Sequence, residues 1–290
     1  LKVEIVTIGD ELLLGFTIDT NAAYLARELA AFGVEVVRRS TCSDAPEEII
    51  DAVRAALHRT GAVITTGGLG PTADDLTKAS IAALFGRELY LDEAIAEGLR
   101  QRWKNFRRAG ELPKTNYVQA MIPEGATILS NHHGSAPGIL LEDEDGRWVA
   151  MLPGVPTEAR GMFTDVLRPL LEARLRRESV EPLVIASHTL RTTGIAESML
   201  AERLGELGRG FDGMSLAYLP NMDGVDLRLT VRHVPKRQAD AQLQMGALRI
   251  RSVLGDVIYG DNGTSLAAVV LDECRRHHVR LAVAESCTGG

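Results

Sequence analysis

Thr65-Thr66-Gly67-Gly68-Leu69-Gly70-Pro71-Thr72-Ala73-Asp74-Asp75 follows the apolar run Ala62-Val63-Ile64 and precedes a helical pattern from Leu76 to Phe85. The order is strand, glycine-rich turn, helix. Glycines let the backbone approach a ligand closely, and a helix start offers unpaired N–H groups to an anion. Such a turn cradles phosphate. Neither GxGxxG nor GxxxxGK[ST] is present, and adjacent carboxylates sit where those motifs carry neutral or basic residues. Carboxylates beside phosphate make sense when a hard divalent cation bridges them, since Mg²⁺ is held by one or two carboxylates plus phosphate oxygens. The alternative is a helix start with favourable acidic residues. The cation reading explains glycines and acids together.

Working toward the N-terminus, the same unit repeats. Val3 to Ile8 is a short apolar strand ending at Gly9-Asp10-Glu11. A helix from about Thr20, capped by Asp19 or Thr20, places Ala22, Leu25, Leu29 and Phe32 on one face and closes at Gly33. Strand Val34 to Arg38 leads to Asp44-Ala45-Pro46-Glu47, which reads as a helix start with Asp44 as N-cap. That helix carries Ile49, Ile50, Val53 and Leu57 and ends near Gly61. Repeated strand–helix units imply a parallel sheet covered on both faces, with ligands at the C-terminal strand ends. Asp10, Glu11, Asp44 and the glycine turn all fall there.

Toward the C-terminus, residues 92 to 109 form a basic helix (Arg100, Arg102, Lys104, Arg107, Arg108), read as a solvated face before a phosphate-steering one. Asn131-His132-His133-Gly134-Ser135-Ala136-Pro137-Gly138 precedes a hairpin with Asp143-Glu144-Asp145-Gly146 at its tip. The returning strand reaches Leu152-Pro153-Gly154-Val155-Pro156. A long helix to about Glu178 closes the first domain, and Glu181-Pro182 suits a boundary. The domains are thus expected at 1–180, 181–261 and 262–290. The second is a small α+β block whose strand alternates Val225, Leu227, Leu229 and Val231; it lacks a GxxG loop with basic flanks, which disfavours nucleic-acid binding. In the third, a helix from Thr264 and a strand from Arg280 to Ala284 run into Glu285-Ser286-Cys287-Thr288-Gly289-Gly290, as if entering another domain. Adjacent His132-His133 and His277-His278 do not share a face, so they make poor metal pairs.

The totals bound the class. With 290 residues, 45% hydrophobic and 24% charged, the chain reads as a soluble globular protein. The net charge of −7 argues against broad nucleic-acid binding. No membrane span or signal peptide is visible. Cys42, Cys274 and Cys287 lack ligand spacing and suit reduced thiols in the cytoplasm.

These residues together resemble the CinA competence/damage-inducible family over the whole chain, and the first domain resembles the wider molybdopterin-binding family (MogA, MoaB and the matching domain of MoeA). Asp44 and Thr65 to Gly70 with Asp75-Leu76-Thr77 carry the Mog-like part. Gly9-Asp10-Glu11-Leu12-Leu13 with Gly15 and Asp19-Thr20-Asn21, Gly70 to Asp75, Asn116-Tyr117-Val118-Gln119-Ala120, Gly134 to Gly138 and Leu152 to Pro156 carry the CinA part. The resemblance implies an α/β, parallel-sheet, three-layer Mog/MoaB-like domain, a KH-like α+β domain, and the start of a nicotinamide-nucleotide (NMN) amidohydrolase domain. It further implies a homodimer whose first domain hydrolyses ADP-ribose at its pyrophosphate with a divalent metal such as Mg²⁺. Residue by residue, Gly67, Gly68 and Gly70 would hold phosphate, while Asn21, Ser135 and Gly154 complete substrate binding. Asp44 and Asp75 would be catalytic, and Asp75, Asp74, Asp10 and Glu11 metal-binding. Ser286 matches the deamidase serine, whose partner base is expected beyond Gly290. Two other readings stay open: an adenylyl transferase related to molybdenum-cofactor enzymes, and a binding module that holds nucleotide without turnover.

Overall fold

The structure, a computed structural model, describes residues 1–105, 110–178, 183–284 and 286–287. It separates into two compact units, Leu1–Pro182 and Leu183–Gly290. The expected boundary dipeptide Glu181-Pro182 lies outside the described residues, as do Arg107 and Arg108 of the basic helix.

The first unit is built on β1 (Lys2–Ile8), α1 (Asp10–Leu13), α2 (Thr20–Ala31), β2 (Glu35–Cys42), α3 (Pro46–Thr60), β3 (Ala62–Thr66) and α4 (Thr77–Leu84). There follow β4 (Leu89–Leu91), α5 (Glu93–Asn105), a 3₁₀ turn (Lys114–Ala120), β5 (Met121–Pro123), β6 (Thr127–Leu129), β7 (Gly138–Glu142) and β8 (Trp148–Leu152). A π-turn at Phe163–Leu167 joins α6 (Pro156–Met162) to α7 (Arg168–Glu178). Among the described residues the main sheet runs β2-β1-β3-β8-β7-β6. Its first four strands are parallel, as the sequence pattern requires. β7 pairs antiparallel with β8, because a tight turn at Gly146 returns the chain beside its own strand, and β6 pairs antiparallel with β7 in turn. The sheet is therefore mixed.

Strands buried on both faces read as unbroken apolar runs. Val3 and Ile5 in β1 pack with Leu25 and Leu29 of α2 and with Phe163 on one side of the sheet. Val6 and Ile8 pack with Ile49 and Val53 of α3 and with Ile81 of α4 on the other. Each such buried side chain stabilises the fold by roughly 1.5–3 kcal/mol. Asp19 caps α2 by accepting the Ala22 N–H (2.9 Å), and Gly33 turns the chain out at φ +90°. The α3 start differs from expectation. Its N-cap residue is Ala45, with no side-chain cap, and Asp44 faces elsewhere.

The second unit consists of β9 (Leu183–Thr192), α8 (Glu197–Leu204), β10 (Ser215–Pro220), β11 (Val225–Pro235), α9 (Lys236–Leu254), β12 (Ile258–Asp261) and α10 (Leu266–Arg276). Its antiparallel sheet has the order β10-β11-β9-β12. Val225, Leu227, Leu229 and Val231 alternate onto one face and pack with Ala239, Leu243, Ala247 and Ile250 of α9. The strand expected at Arg280 to Ala284 does not form. That stretch is exposed and has no ladder partner among the described residues, and α10 before it buries no residue.

Candidate active site

Parallel strands deliver their C-terminal ends to one edge, and four loops meet there. β1 ends at Gly9-Asp10-Glu11, β2 leads to Asp44, β3 enters the glycine turn and β8 enters Pro153-Gly154. They enclose a cleft of about 480 Å³. Glu11, Asn21, Asp44, Gly67, Gly68, Gly70, Asp74, Asp75, Ser135 and Gly154 all line it. Asp10 is not among the lining residues; its backbone N–H donates to Asp44 Oδ2 at 3.0 Å. Ser286 belongs to the second unit and is exposed, while Glu285 and Thr288 to Gly290 lie outside the described residues.

The glycine turn owes its shape to two positive φ angles, +109° at Gly67 and +65° at Gly68. A Cβ on Gly67 would strike the Ile8 carbonyl oxygen, and one on Gly68 would strike Thr77 Oγ1 at the start of α4. Backbone and helix end are thus pressed together with no room for a side chain. The amides divide by role. Gly67 N–H donates to the Leu152 carbonyl (3.1 Å) and Gly70 N–H to Asp75 Oδ1 (2.7 Å), so both serve the turn itself. Among the described residues the Gly68 N–H has no internal acceptor and stays available to an anion, beside the first amides of α4. Asp75 Oδ2 also accepts the Thr72 N–H (2.8 Å) and the Thr72 hydroxyl. Its carboxylate is the clasp that closes the loop.

Asp44 stands differently. Burial raises its pKa above the usual carboxylate value, the negative charges of Asp10, Glu11 and Asp74 raise it further, and the Asp10 N–H opposes them. Acidic side chains from three loops therefore share one negative field. Among the described residues no three His, Cys, Asp or Glu side chains form a ready-made metal cage. That donor set still fits Mg²⁺, which draws its remaining ligands from water and phosphate oxygens. Desolvation is the main cause of the raised Asp44 pKa, and the neighbouring acids add to it.

Sequence reasoning missed three residues around the cleft. Gln119 lines it and is 2% exposed; Nε2 donates to Ser135 Oγ at 3.3 Å. Glu158 lines it too and accepts the Asn131 Nδ2 hydrogen at 2.6 Å. Lys78, buried in the first turn of α4, donates Nζ to the Val118 carbonyl; desolvation lowers its pKa to about 8, against the opposing pull of Asp75. All three stand within or beside the quoted motifs; burial gives weight to Gln119 and Lys78, and its place in the cleft gives weight to Glu158. Asn21 Nδ2 donates to the Gly154 carbonyl at 2.8 Å, joining two predicted binding residues. In the basic helix Arg100 pairs with Glu97 and Glu93, while Arg102 donates to the Gly134 carbonyl. His133 pairs with Asp165 rather than with its neighbour. Burial pushes the Cys42 thiol up to about 11, an unreactive state. Among the described residues no helix is long and apolar enough to cross a membrane.

Residues 4–173 match the family described as probable molybdopterin binding domain, and residues 187–260 match the damage-inducible protein CinA KH domain. A CinA-like protein of Gemmatimonas aurantiaca is 60% identical over 290 residues, covering 100% of this chain and 67% of that relative. A putative competence-damage inducible protein of Caldicellulosiruptor saccharolyticus is 37% identical, covering 100% of this chain and 68% of its own. Among solved structures, a CinA protein of unknown function from Thermoplasma acidophilum is 32% identical with a TM-score of 0.53, covering 58% of this chain and 97% of that one. The chain spans about two thirds of the length of these curated relatives.

Proposed function

This chain belongs to the CinA-like protein family, and we propose that its first unit is a divalent-metal-dependent pyrophosphohydrolase acting on ADP-ribose. One observation carries the reading: the glycine turn and the carboxylates of Glu11, Asp44 and Asp74 line the same cleft. The Gly68 amide and the α4 start hold one phosphate. Asn21 and Ser135 position the ribosyl groups. Glu11 and Asp74 are the side chains that would hold the cation, which leaves the Asp44 carboxylate beside it free to act as a base. When bound, the cation supplies Lewis-acid neutralisation of the diphosphate charge. Water oxygen bonds to phosphorus while the bridging P–O bond breaks, and the bridging oxygen leaves on the other phosphate. The carboxylate of Asp44 takes the water proton, a task suited to a raised pKa. Asp75 keeps the turn in shape.

A second reading has one specific support, the match to a probable molybdopterin binding domain. Adenylyl transfer to a pterin would use the same turn and acids. Incubation with ADP-ribose and Mg²⁺, against ATP and molybdopterin, separates the two; AMP release from ADP-ribose supports hydrolysis, and an adenylylated pterin refutes it. Calorimetry settles the binding-module alternative, which predicts tight ADP-ribose binding and no AMP. NMN deamidation with Ser286 as nucleophile is proposed for longer relatives. A homodimer with small-molecule partners completes the proposal, supported for the latter by the net charge of −7.

A further inference from the structure

Ser135 lines the main cleft and also a smaller adjoining pocket of about 250 Å³. Ile95, Leu99 and Ile128 form apolar walls of that pocket, and Arg102 borders it with its guanidinium held by the Gly134 carbonyl. Beside Ser135 in the main cleft, Gln119 leaves its carbonyl oxygen Oε1 buried with no hydrogen-bond partner among the described residues. Its carboxamide nitrogen donates to Ser135 Oγ at 3.3 Å, at the long end for such contacts. A buried acceptor without a donor is destabilising unless a donor arrives. A weakly held carboxamide at the rim of a cleft can exchange its internal partner for a ligand one.

Resting on the diphosphate reading above, we propose that this junction is a second subsite, where Gln119 accepts a hydrogen bond from a sugar hydroxyl on the far phosphate of a nucleoside diphosphate. An anionic terminus cannot serve, because a fully ionised phosphate has no hydrogen to give Oε1. A hydroxyl-rich sugar does, and its apolar ring face suits the Ile95, Leu99 and Ile128 walls while Arg102 binds its outer oxygens. Gln119 is thus a specificity-determining residue, separate from the acids that carry the reaction.

The test is calorimetry with Mg²⁺ and two non-hydrolysable probes, α,β-methylene-ADP and α,β-methylene-ADP-ribose. The wild type is expected to bind the sugar-bearing probe roughly five- to tenfold more tightly, the increment of about one added hydrogen bond. Gln119→Leu should bind the ADP probe as the wild type does and lose that preference. Arg102→Met, at a half-buried position, should reduce the preference in the same way, which keeps the test alive if Gln119→Leu does not fold. Equal wild-type binding of the two probes overturns the subsite alone, as does a preference that survives both substitutions. Failure to bind either probe overturns the diphosphate reading with it.

Discussion

Replacing Gly67 by Ala tests the physical origin of the turn. A non-glycine residue in left-handed backbone costs about 1–2 kcal/mol, and Gly67 sits at φ +109°, beyond the centre of that region. The added Cβ would also meet the Ile8 carbonyl oxygen, which cannot give way because Ile8 is paired with Cys42 in the sheet. Overpacking of this kind adds about 1–3 kcal/mol. The total, about 2–5 kcal/mol, lowers Tm by roughly 4–20 °C at 2–4 °C per kcal/mol for a domain of this size. Gly146→Ala is the control. It shares a positive φ, +76°, but its Cβ meets nothing within 4 Å, so only the backbone cost remains. Calorimetric unfolding of both variants gives the difference. If Gly67→Ala is no more destabilising than Gly146→Ala, the close approach of turn and strand is not what demands glycine.

Asp44→Asn is expected to abolish metal-dependent turnover while stabilising the protein at neutral pH. Because the folded carboxyl has the higher pKa, the folded state binds the extra proton, and stability falls as pH rises through the window just above the usual carboxylate value. The Asn variant should lose that slope in thermal melts from pH 3 to 7; an unchanged slope shows that burial does not raise the Asp44 pKa. Lys78 behaves in the opposite sense. Its folded pKa of about 8 lies below the ordinary 10.5, so wild-type stability relative to Lys78→Met should rise between those pH values, by up to about 1.4 kcal/mol per pH unit. A pH-independent difference contradicts it. Arg59→Met leaves the fully buried Glu4 without its paired guanidinium contacts at 2.6 and 2.8 Å and should cost about 3–5 kcal/mol at pH 7. A loss below 1 kcal/mol in urea titration would show that Glu4 finds another partner.

Patterning carried the layout of the first unit because each β-branched run is buried on both faces and each helix shows one apolar stripe. The Val225 to Val231 alternation did the same for the second. The hairpin turn at Asp143 to Gly146 made the antiparallel pairing of β7 with β8 legible, but periodicity could not show that β6 adds beside β7, since that depends on which strands become neighbours. The Arg280 to Ala284 run has the right composition for a strand, but pairing needs a neighbour that the described residues do not provide. At the site, loop residues assembled because strand ends place them there. What the sequence hid was the division of labour. Asp44 and Asp75 look alike in one dimension, yet one closes its own loop through Gly70 and Thr72 while the other is left in a negative field. Likewise Asp44 satisfied the N-cap pattern but turned to the Asp10 amide, a contact across 34 residues. Gln119 gave no polar signal until burial showed an oxygen without a donor.

The most direct measurement is release of AMP from ADP-ribose by the purified protein with Mg²⁺, followed by chromatography, for the wild type and Asp44→Asn side by side. The account predicts steady AMP production by the wild type, suppressed by EDTA, and at least a hundredfold less from the Asn variant, the scale of one lost general base. Undiminished turnover by Asp44→Asn, or no AMP from a folded wild type that binds ADP-ribose, contradicts it.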